Sequence, residues 1–350
     1  MSTMTIGAGL RPRPNKPNKL RDKTLNVLWV GQSNASRMFT NFSGAGDTAF
    51  KAALAPYFPV VNTINGANGG VAIHKDADTG SGYFWDYDAG TPGPNLTSAL
   101  TAVDNAGIKR RDVDVVVIVH GEKDSEALHS GAITSAECKS AFLSYISYLR
   151  AQLANPLILM VPIGGNKTSS EFTGYGLMRK IIWEIWNTYP HINETPGFWD
   201  LPYDDNLHPN QAGYEAFAGR TARRILALLN KIPVAGTLGP RVSGVTFSPT
   251  ADRVYVTITH DGGTDYTLTE RRGKLVTRNG TGIAPTAISK TNSTSFELNP
   301  NTNLQSGDTI TFSWIWGTLQ GYTNANVLRD NTANTMPLRL TFDYPATQIA

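Results

Sequence analysis

Three residues that lie far apart in the sequence have the types needed to activate a hydroxyl for nucleophilic attack. Ser33 lies in the segment Gly31-Gln-Ser-Asn34, and Asp205 and His208 lie together in Asp205-Asn-Leu-His208. A neutral serine is a poor nucleophile, so it needs a base such as imidazole, and the imidazole needs a carboxylate to fix its tautomer. One short loop can supply both Asp205 and His208. The pattern predicts a Ser33–His208–Asp205 triad for acyl transfer.

Each motif also has an ordinary structural interpretation. A glycine and a serine after a strand commonly form a turn, and an aspartate can cap a turn beside a surface histidine. Asp204 is an alternative to Asp205 as the residue that orients the imidazole, although the D-x-x-H spacing favours Asp205. What favours catalysis is the combination: a serine early in the chain, then aspartate and histidine together before the last helix of the same region.

The segments around these residues predict an α/β fold. Ser33 follows the apolar run 25–30, and the runs 113–119 and 156–162 are also apolar, as in parallel strands covered on both faces. Helix-length stretches lie between them, one of which can be capped by Thr134 or Ser135. Two stretches carry apolar residues at the helical period: Phe142, Ile146, Leu149 and Leu153, and Ala218, Ala222, Ile225 and Leu229.

The chain divides by composition into four parts. Residues 1–23 are basic and proline-rich, so we expect a tail, either a plain disordered end or a basic docking arm for a larger assembly. Residues 24–232 form the α/β domain and 233–240 a linker. Residues 241–350 switch to a period of two and predict an antiparallel β-sandwich or jelly roll. The alternating residues include Val254, Val256 and Ile258; Ile310, Phe312, Trp314 and Trp316; and Leu338, Leu340, Phe342 and Tyr344.

Composition excludes several classes of partner and cofactor. The net charge is +3 and charged residues make up 17% of the 350-residue chain, so we expect neither nucleic acid nor a membrane as partner. The single cysteine, Cys138, excludes an intramolecular disulfide and a CxxC zinc cluster. No histidine shows zinc-ligand spacing, so we expect no metal and no cofactor. The N-terminal residues lack an apolar core of signal-peptide length, so we expect neither Sec export nor membrane insertion.

The order of these motifs resembles that of the SGNH (GDSL-like) hydrolases. Within that superfamily the chain resembles the carbohydrate acetylesterase branch, which includes sialate O-acetylesterases and acetylxylan esterases and in which the nucleophile motif reads GQSN. The resemblance spans residues 24–230 in four blocks, which are 31–34, 65–70, 120–124 and 205–210. It implies a three-layer α/β/α, flavodoxin-like domain with a parallel sheet, and the Ser33, Asp205 and His208 triad.

The resemblance also implies an oxyanion hole. Its donors are the backbone N–H groups of Ser33 and of Gly70, with Gly69 as the alternative glycine. The third block departs from the usual G-x-N-D, because Lys123 stands at the asparagine position in His120-Gly-Glu-Lys-Asp124. His120 is then the first candidate for the third donor, although a structural histidine at a strand end is an equal alternative. Gln32, Asn34 and Glu122 are expected to support the site.

The implied function is a serine esterase that removes O-acetyl groups from carbohydrate. His74 can line the pocket, and Tyr83, Trp85 and Trp199 can stack on a sugar, although such aromatic residues more often belong to a core. The first alternative is a non-catalytic carbohydrate-binding or phage virion structural protein on the same scaffold. The second is a thioesterase or lysophospholipase. The basic tail and the C-terminal domain are compatible with assembly into a phage tail and equally with a bacterial cytoplasmic enzyme.

Overall fold

The computed structural model describes residues 24–164, 172–268, 274–283, 285–314, 328–332 and 336–349. The predicted tail, 1–23, and Trp316 lie outside the described residues. The N-terminal part contains strands β1 (Thr24–Gly31), β2 (Val60–Ala67), β3 (Ala72–His74), β4 (Tyr83–Asp86), β5 (Thr91–Pro92), β6 (Val115–Val119), β7 (Leu157–Val161) and β8 (Ile192–Glu194). Its helices are α1 (Ser33–Thr40), α2 (Ala45–Leu54), α3 (Pro94–Asn105), α4 (Glu122–Ser130), α5 (Ser135–Gln152), α6 (Phe172–Thr188) and α7 (Gln211–Leu228).

Five of these strands form a parallel sheet in the order β2-β1-β6-β7-β8. The strands β2 and β6 lie on opposite sides of β1, so the strand order reverses direction at β1. The connections on either side of the gap between β1 and β6 therefore run in opposite directions. In open parallel sheets this divergence leaves a crevice at the carboxyl ends of the strands, where ligands bind. Ser33 follows β1 and His120 follows β6, so both motifs lie at this crevice.

The sheet is covered by helices on both faces because β1 alternates between two apolar clusters. Leu28 and Val30 belong to a cluster that includes residues of α3 and α5. Val27 and Trp29 belong to the opposite cluster with residues of α1, α2 and α7. The Trp29 ring meets Phe50 edge to face at a centroid distance of 5.1 Å. The three-layer architecture follows from this two-sided burial.

The helix α5 begins where the sequence predicts. The Thr134 hydroxyl accepts a hydrogen bond from the Glu137 amide at 3.2 Å, and the Glu137 carboxylate accepts one from the Thr134 amide at 2.8 Å. This reciprocal arrangement is a capping box. The predicted apolar stripes of α5 and α7 are buried except for Leu229, which is half-buried at the end of α7.

The C-terminal part is a β-sandwich. It contains β9 (Arg241–Ser248), β10 (Arg253–Thr259), β11 (Tyr266–Thr267), β12 (Lys274–Arg278), β13 (Thr281–Ile283), β14 (Ala287–Asn292), β15 (Ser295–Asn299), β16 (Ile310–Trp314), β17 (Arg329–Asp330), β18 (Thr341–Pro345) and β19 (Thr347–Gln348). The two larger sheets have the orders β14-β15-β10-β9-β19 and β13-β12-β16-β18, antiparallel except for the β9–β19 pair. Phe296 and Phe312, one from each sheet, meet at 6.1 Å in the shared core.

The predicted fold class is confirmed: a parallel α/β/α domain precedes a mostly antiparallel β domain. One detail differs from the prediction. Leu338 and Leu340 are buried as expected, but they precede β18 instead of belonging to it. The segment 233–240 lies between α7 and β9, and the Asp261 carboxylate accepts hydrogen bonds from the amides of Thr237, Leu238 and Gly239 at 2.8–3.2 Å.

None of the helices in the described ranges combines the length and the hydropathy of a membrane span.

A substitution at Gly31 tests how tightly the end of β1 is packed. It has φ +132°, and a β-carbon at this position would lie 1.9 Å from the Val119 carbonyl oxygen. We expect Gly31→Ala to lower the free energy of unfolding by about 2–4 kcal/mol, because both the backbone and the neighbouring strand must shift. Urea unfolding of wild type and variant measures this difference in the free energy of unfolding.

The matched control is Gly219→Ala in α7, where an added β-carbon meets no atom within 4 Å. This change should leave stability unaltered or raise it by up to about 1 kcal/mol, since alanine is the better helix former. Equal stability of wild type and Gly31→Ala would contradict the described packing.

Candidate active site

Ser33 is presented at the point where β1 turns into α1. Gly31 ends the strand, Gln32 occupies the N-cap position of the helix without a side-chain capping bond, and Ser33 is the first helical residue. The Gln32 carbonyl accepts hydrogen bonds from the amides of Ala35 and Ser36, both at 3.0 Å, which closes the first turn. The Ser33 amide therefore belongs to the group of first-turn N–H groups that have no acceptor within the helix. Hydroxyl and amide lie together at the positive end of the helix dipole.

The loop before α7 brings His208 to this serine. His208 Nε2 lies 2.9 Å from Ser33 Oγ, and His208 Nδ1 lies 2.7 Å from Asp205 Oδ2. Asp205 Oδ1 also accepts hydrogen bonds from the amides of Leu207 and His208, both at 2.7 Å. Of the two neighbouring aspartates it is Asp205, and not Asp204, whose carboxylate contacts the imidazole. Hydroxyl, imidazole and carboxylate thus form one continuous chain of hydrogen bonds.

Backbone hydrogen bonds give this loop its shape. The Asp204 amide donates to the His208 carbonyl at 2.9 Å, and the Asn210 amide donates to the Pro202 carbonyl at 3.0 Å. The Asn210 side chain then caps α7 by accepting from the Gly213 amide at 3.0 Å. A β-carbon at Gly213 would lie 2.4 Å from the Pro202 carbonyl oxygen, so the helix start can approach the loop this closely only with glycine.

Burial and the neighbouring Arg37 favour the neutral form of His208. Partial burial lowers the pKa of His208, the hydrogen bond to Asp205 raises it, and the Arg37 guanidinium lowers it further; the net shift is downward. Arg37 Nη1 lies 3.6 Å from Asp205 Oδ2. Burial alone would raise the pKa of Asp205, but the Leu207 amide and the imidazole outweigh it and hold that pKa below its usual value. At neutral pH the site therefore pairs a carboxylate with an uncharged imidazole, which is the state required of a general base.

The loop that contains Gly69 and Gly70, here called the glycine block, follows β2. It lies beside the serine turn, which is the turn from β1 to α1 that carries Ser33. The Asn68 amide donates to the Gly31 carbonyl at 3.1 Å, which places this loop next to the end of β1. The Gly69 amide donates to the Asn68 side chain at 3.0 Å. Gly70 is exposed with φ +73°, and within the described residues its amide donates no hydrogen bond. Of the two predicted glycines, Gly70 is the one with an N–H group left for a ligand.

His120 is not placed to serve as the third oxyanion donor. Its ring is fully buried, Nε2 is engaged with the Val71 carbonyl at 3.3 Å, and the Phe84 ring lies 4.6 Å from it. Burial lowers the pKa of His120 to about 3, so the ring is neutral. With Nε2 donating to Val71, Nδ1 carries no proton. The prediction for His120 is wrong for this reason, and the structural alternative holds.

The residues predicted to support the site form a buried network beneath it. Asn34 donates to Glu122 Oε1 at 2.8 Å and accepts from the Tyr214 hydroxyl at 3.1 Å. Gln32 Oε1 accepts from the Gly121 and Lys123 amides at the start of α4, at 3.4 and 3.1 Å. Burial raises the pKa of Glu122. The network joins α1 to α4 and to the first turn of α7, so the turn that carries Ser33 and the helix that follows His208 share one set of contacts.

Sequence reasoning missed roles for three residues. Arg37 and Tyr214 touch the triad or its network, and Asp124 holds the chain just after the glycine block by accepting from the Ile73 and His74 amides at 2.9–3.1 Å. Burial raises the pKa of Asp124 to about 7, which these hydrogen bonds oppose. The spacing Ser33 to Arg37, one helical turn, was the signal that could have identified Arg37.

Several residues predicted to line the pocket are buried instead. His74 is 2% exposed, and its Nδ1 accepts from the Asp76 amide at 3.1 Å. Trp85 and Trp199 are 7% and 3% exposed and belong to apolar clusters, and Tyr83 packs against one of these clusters. The core interpretation of these aromatic residues is therefore correct. Within the described part of the chain no three His, Cys, Asp or Glu residues are grouped to hold a metal ion.

The fold is similar to that of a carbohydrate acetylesterase from Xanthomonas citri, with a TM-score of 0.62 over 90% of this chain and 80% of that one, at 13% identity. A carbohydrate esterase family 3 protein from Talaromyces cellulolyticus matches with a TM-score of 0.39 over 59% of this chain and 99% of its own, and an acetyl xylan esterase with 0.40 over 59% and 100%, both at 13% identity. Those two scores are too low to support an argument. No protein-family model and no curated protein matches the sequence. The first likeness shows the fold.

The pKa of His208 can be measured directly by NMR titration of the imidazole, assigned with a His208→Gln variant. We expect a midpoint below the usual value of about 6.5. Arg37→Met should raise the midpoint, because a neighbouring positive charge that opposes protonation is removed. Asp205→Asn should lower it, because the imidazolium loses its carboxylate partner.

A remote control, Arg253→Met in β10, should leave the midpoint unchanged. The described electrostatics would be wrong if Arg37→Met lowered the midpoint or left it where it is.

Proposed function

We propose that this chain, which has the fold of a carbohydrate acetylesterase, is a serine ester hydrolase of the SGNH class with Ser33 as nucleophile, His208 as general base and Asp205 as the carboxylate that orients it. The observation that carries this proposal is the continuous hydrogen-bonded chain from Ser33 Oγ through His208 to Asp205, with distances of 2.9 and 2.7 Å. Its members come from the carboxyl-end edge of the sheet, where open α/β sheets bind ligands.

The reaction proceeds through an acyl-enzyme. His208 Nε2 takes the proton of Ser33 as Oγ attacks the ester carbonyl, and Asp205 stabilises the imidazolium that forms. The tetrahedral intermediate then loses its alcohol, to which His208 returns the proton. Water then attacks the acyl carbonyl while His208 Nε2 takes one of its protons. The second tetrahedral intermediate breaks its bond to Ser33 Oγ, His208 returns the proton to that oxygen, and the carboxylic acid leaves. The backbone N–H groups of Ser33 and Gly70 hold the oxyanion, and one such donor is typically worth about 3 kcal/mol of barrier.

We further propose O-acetyl groups on carbohydrate as the substrate, either a polysaccharide or a sialate-like sugar. Two features support it: the fold likeness to an acetylesterase and the GQSN and G-E-x-D motifs, which resemble the carbohydrate branch. In the structure these motifs are linked, since Gln32 and Asn34 bind the start of α4 and Glu122. Assembly into a larger particle through the basic tail or the β-sandwich stays a prediction.

Hydrolysis of p-nitrophenyl acetate tests the nucleophile. We expect turnover by the wild type, a loss of about 10⁴-fold or more in kcat for Ser33→Ala, and a loss of about 10³–10⁴-fold for Asp205→Asn. The control Ser36→Ala changes a hydroxyl one turn along α1 and should keep wild-type activity. A fluorophosphonate should form a phosphonyl ester on Ser33 Oγ in wild type with loss of HF, seen as the reagent mass minus HF, and should label no residue in Ser33→Ala. Absence of turnover and of labelling in wild type would favour a non-catalytic carbohydrate-binding protein.

Product analysis tests the substrate class. Mass spectrometry of acetylated polysaccharide incubated with the protein should show losses of acetate with no shortening of the glycan, because the triad attacks an ester and not a glycosidic bond. With p-nitrophenyl esters of increasing acyl length, activity should fall sharply beyond acetate. Activity that rises with chain length would instead favour the thioesterase or lysophospholipase alternative, and shortened glycans would contradict an esterase.

A further inference from the structure

The segment just before the catalytic loop is packed into the β-sandwich. Trp199 is 3% exposed and belongs to the buried apolar cluster formed by the sandwich strands. The chain turns tightly around this ring, because a β-carbon at Gly197 would lie 1.7 Å from it. Trp199 stands six positions before Asp205. Trp199 of the α/β domain is therefore anchored in the core of the other domain, a few residues before the loop that carries Asp205 and His208.

The next residue, Asp200, forms ion pairs with an arginine of each domain. Its carboxylate is fully buried and binds Arg220 of α7 through two hydrogen bonds of 2.7 and 2.8 Å. Arg329 of β17 approaches from the sandwich, with Nε 3.2 Å from Asp200 Oδ2. A buried carboxylate is costly unless it is paired, so its position is determined by where these guanidinium groups lie. Arg220 belongs to the helix that follows the loop, and Arg329 belongs to the sandwich.

The two ends of the loop, Leu201–Pro202 and Asn210, are also held in place. Leu201 is buried in the apolar cluster beneath α7, and the Pro202 carbonyl accepts from the Asn210 amide at 3.0 Å. The chain between Asp200 and Asn210 is short, so a displacement at Asp200 has little length in which to be absorbed before Asp205 and His208. Misplacement of a catalytic group by about 1 Å can cost as much as 10²-fold in rate.

We propose that the β-sandwich positions the Asp205–His208 loop through Trp199 and Asp200, with Arg329 as a positioning residue that lies outside the catalytic domain. This inference rests on the proposed function of the triad. It gives the second domain a role in catalysis that requires no contact between the sandwich and the substrate. The competing explanation is that the Asp200–Arg329 pair holds the domains together and has no effect on the loop.

A second ion pair between the domains provides a control that distinguishes positioning of the loop from simple attachment of the domains. Lys180 of α6 pairs with Asp343 of β18, and Trp183 of α6 meets Phe342 at 5.9 Å. This contact also joins the two domains, but it involves no residue of the segment that leads into the loop. Asp343 has a positive φ of +48°, which asparagine tolerates well, so Asp343→Asn removes the charge without straining the backbone.

The test compares Arg329→Met, Arg329→Lys, Trp199→Phe and Asp343→Asn in the full-length chain. We expect Arg329→Met to lower kcat on p-nitrophenyl acetate about tenfold with KM within about twofold, since substrate contacts are untouched while the triad geometry changes. Arg329→Lys should recover part of this loss. Asp343→Asn should stay within about twofold of wild type. The NMR midpoint of His208 should move in Arg329→Met and remain unchanged in Asp343→Asn.

Wild-type kcat and an unchanged His208 midpoint in a folded Arg329→Met protein would overturn the proposal, as would an equal loss of kcat in Asp343→Asn. If Arg329→Met fails to fold by circular dichroism, the milder Trp199→Phe variant carries the same comparison: a lower kcat and a moved midpoint support positioning, and wild-type values overturn it. A wild type that hydrolyses no ester defeats the proposed function, and the His208 midpoints still decide whether the sandwich positions the loop.

Discussion

The hydrogen bond between Ser33 Oγ and His208 Nε2 is the contact on which the whole site depends. It joins residues 175 positions apart, one at the end of the first strand and the other just before the last helix of the α/β domain. No local structure can bring these atoms within 2.9 Å, so the geometry is a product of the sheet order, the two turns and the helices packed on either face. The glycines at 31 and 213 matter because each lets two backbone segments approach more closely than a β-carbon would permit.

Beneath this contact the protein buries two carboxyl groups. Glu122 and Asp124 are both removed from water, and both have raised pKa values because burial disfavours their charged forms. Each is offset by hydrogen bonds that tie together different segments: Asn34 in the first case, the Ile73 and His74 amides in the second. Apolar residues would cost less to bury, but they could not fix the directions of the serine turn and the glycine loop.

Much of this arrangement could be predicted from the sequence, and the failures have physical reasons. The apolar runs around Val30, Ile118 and Met160 identified the strands because a covered parallel sheet requires them. The contacts among Ser33, His208 and Asp205 could be predicted because these residue types occur in an order that resembles that of the SGNH hydrolases. His120 was misassigned because sequence does not say which face of a strand end a side chain occupies. The core interpretation of Trp199 was correct, but the sequence did not show that its apolar cluster is formed by strands far downstream. Tyr214 acts through a tertiary contact with Asn34 that no spacing rule encodes, whereas the one-turn spacing from Ser33 is a local signal for Arg37.

The placement of Arg329 and of the loop before α7 has a consequence for the protein while it is being synthesised. Ser33 leaves the ribosome before His208, the helix α7 and the sandwich strand that contacts Asp200. Nascent chains that expose the serine turn lack the partners that would activate it. The hydrogen-bonded chain from Ser33 to Asp205 can therefore form only after His208 has been synthesised, and a chain that ends before Arg329 lacks one of the two guanidinium groups that hold Asp200.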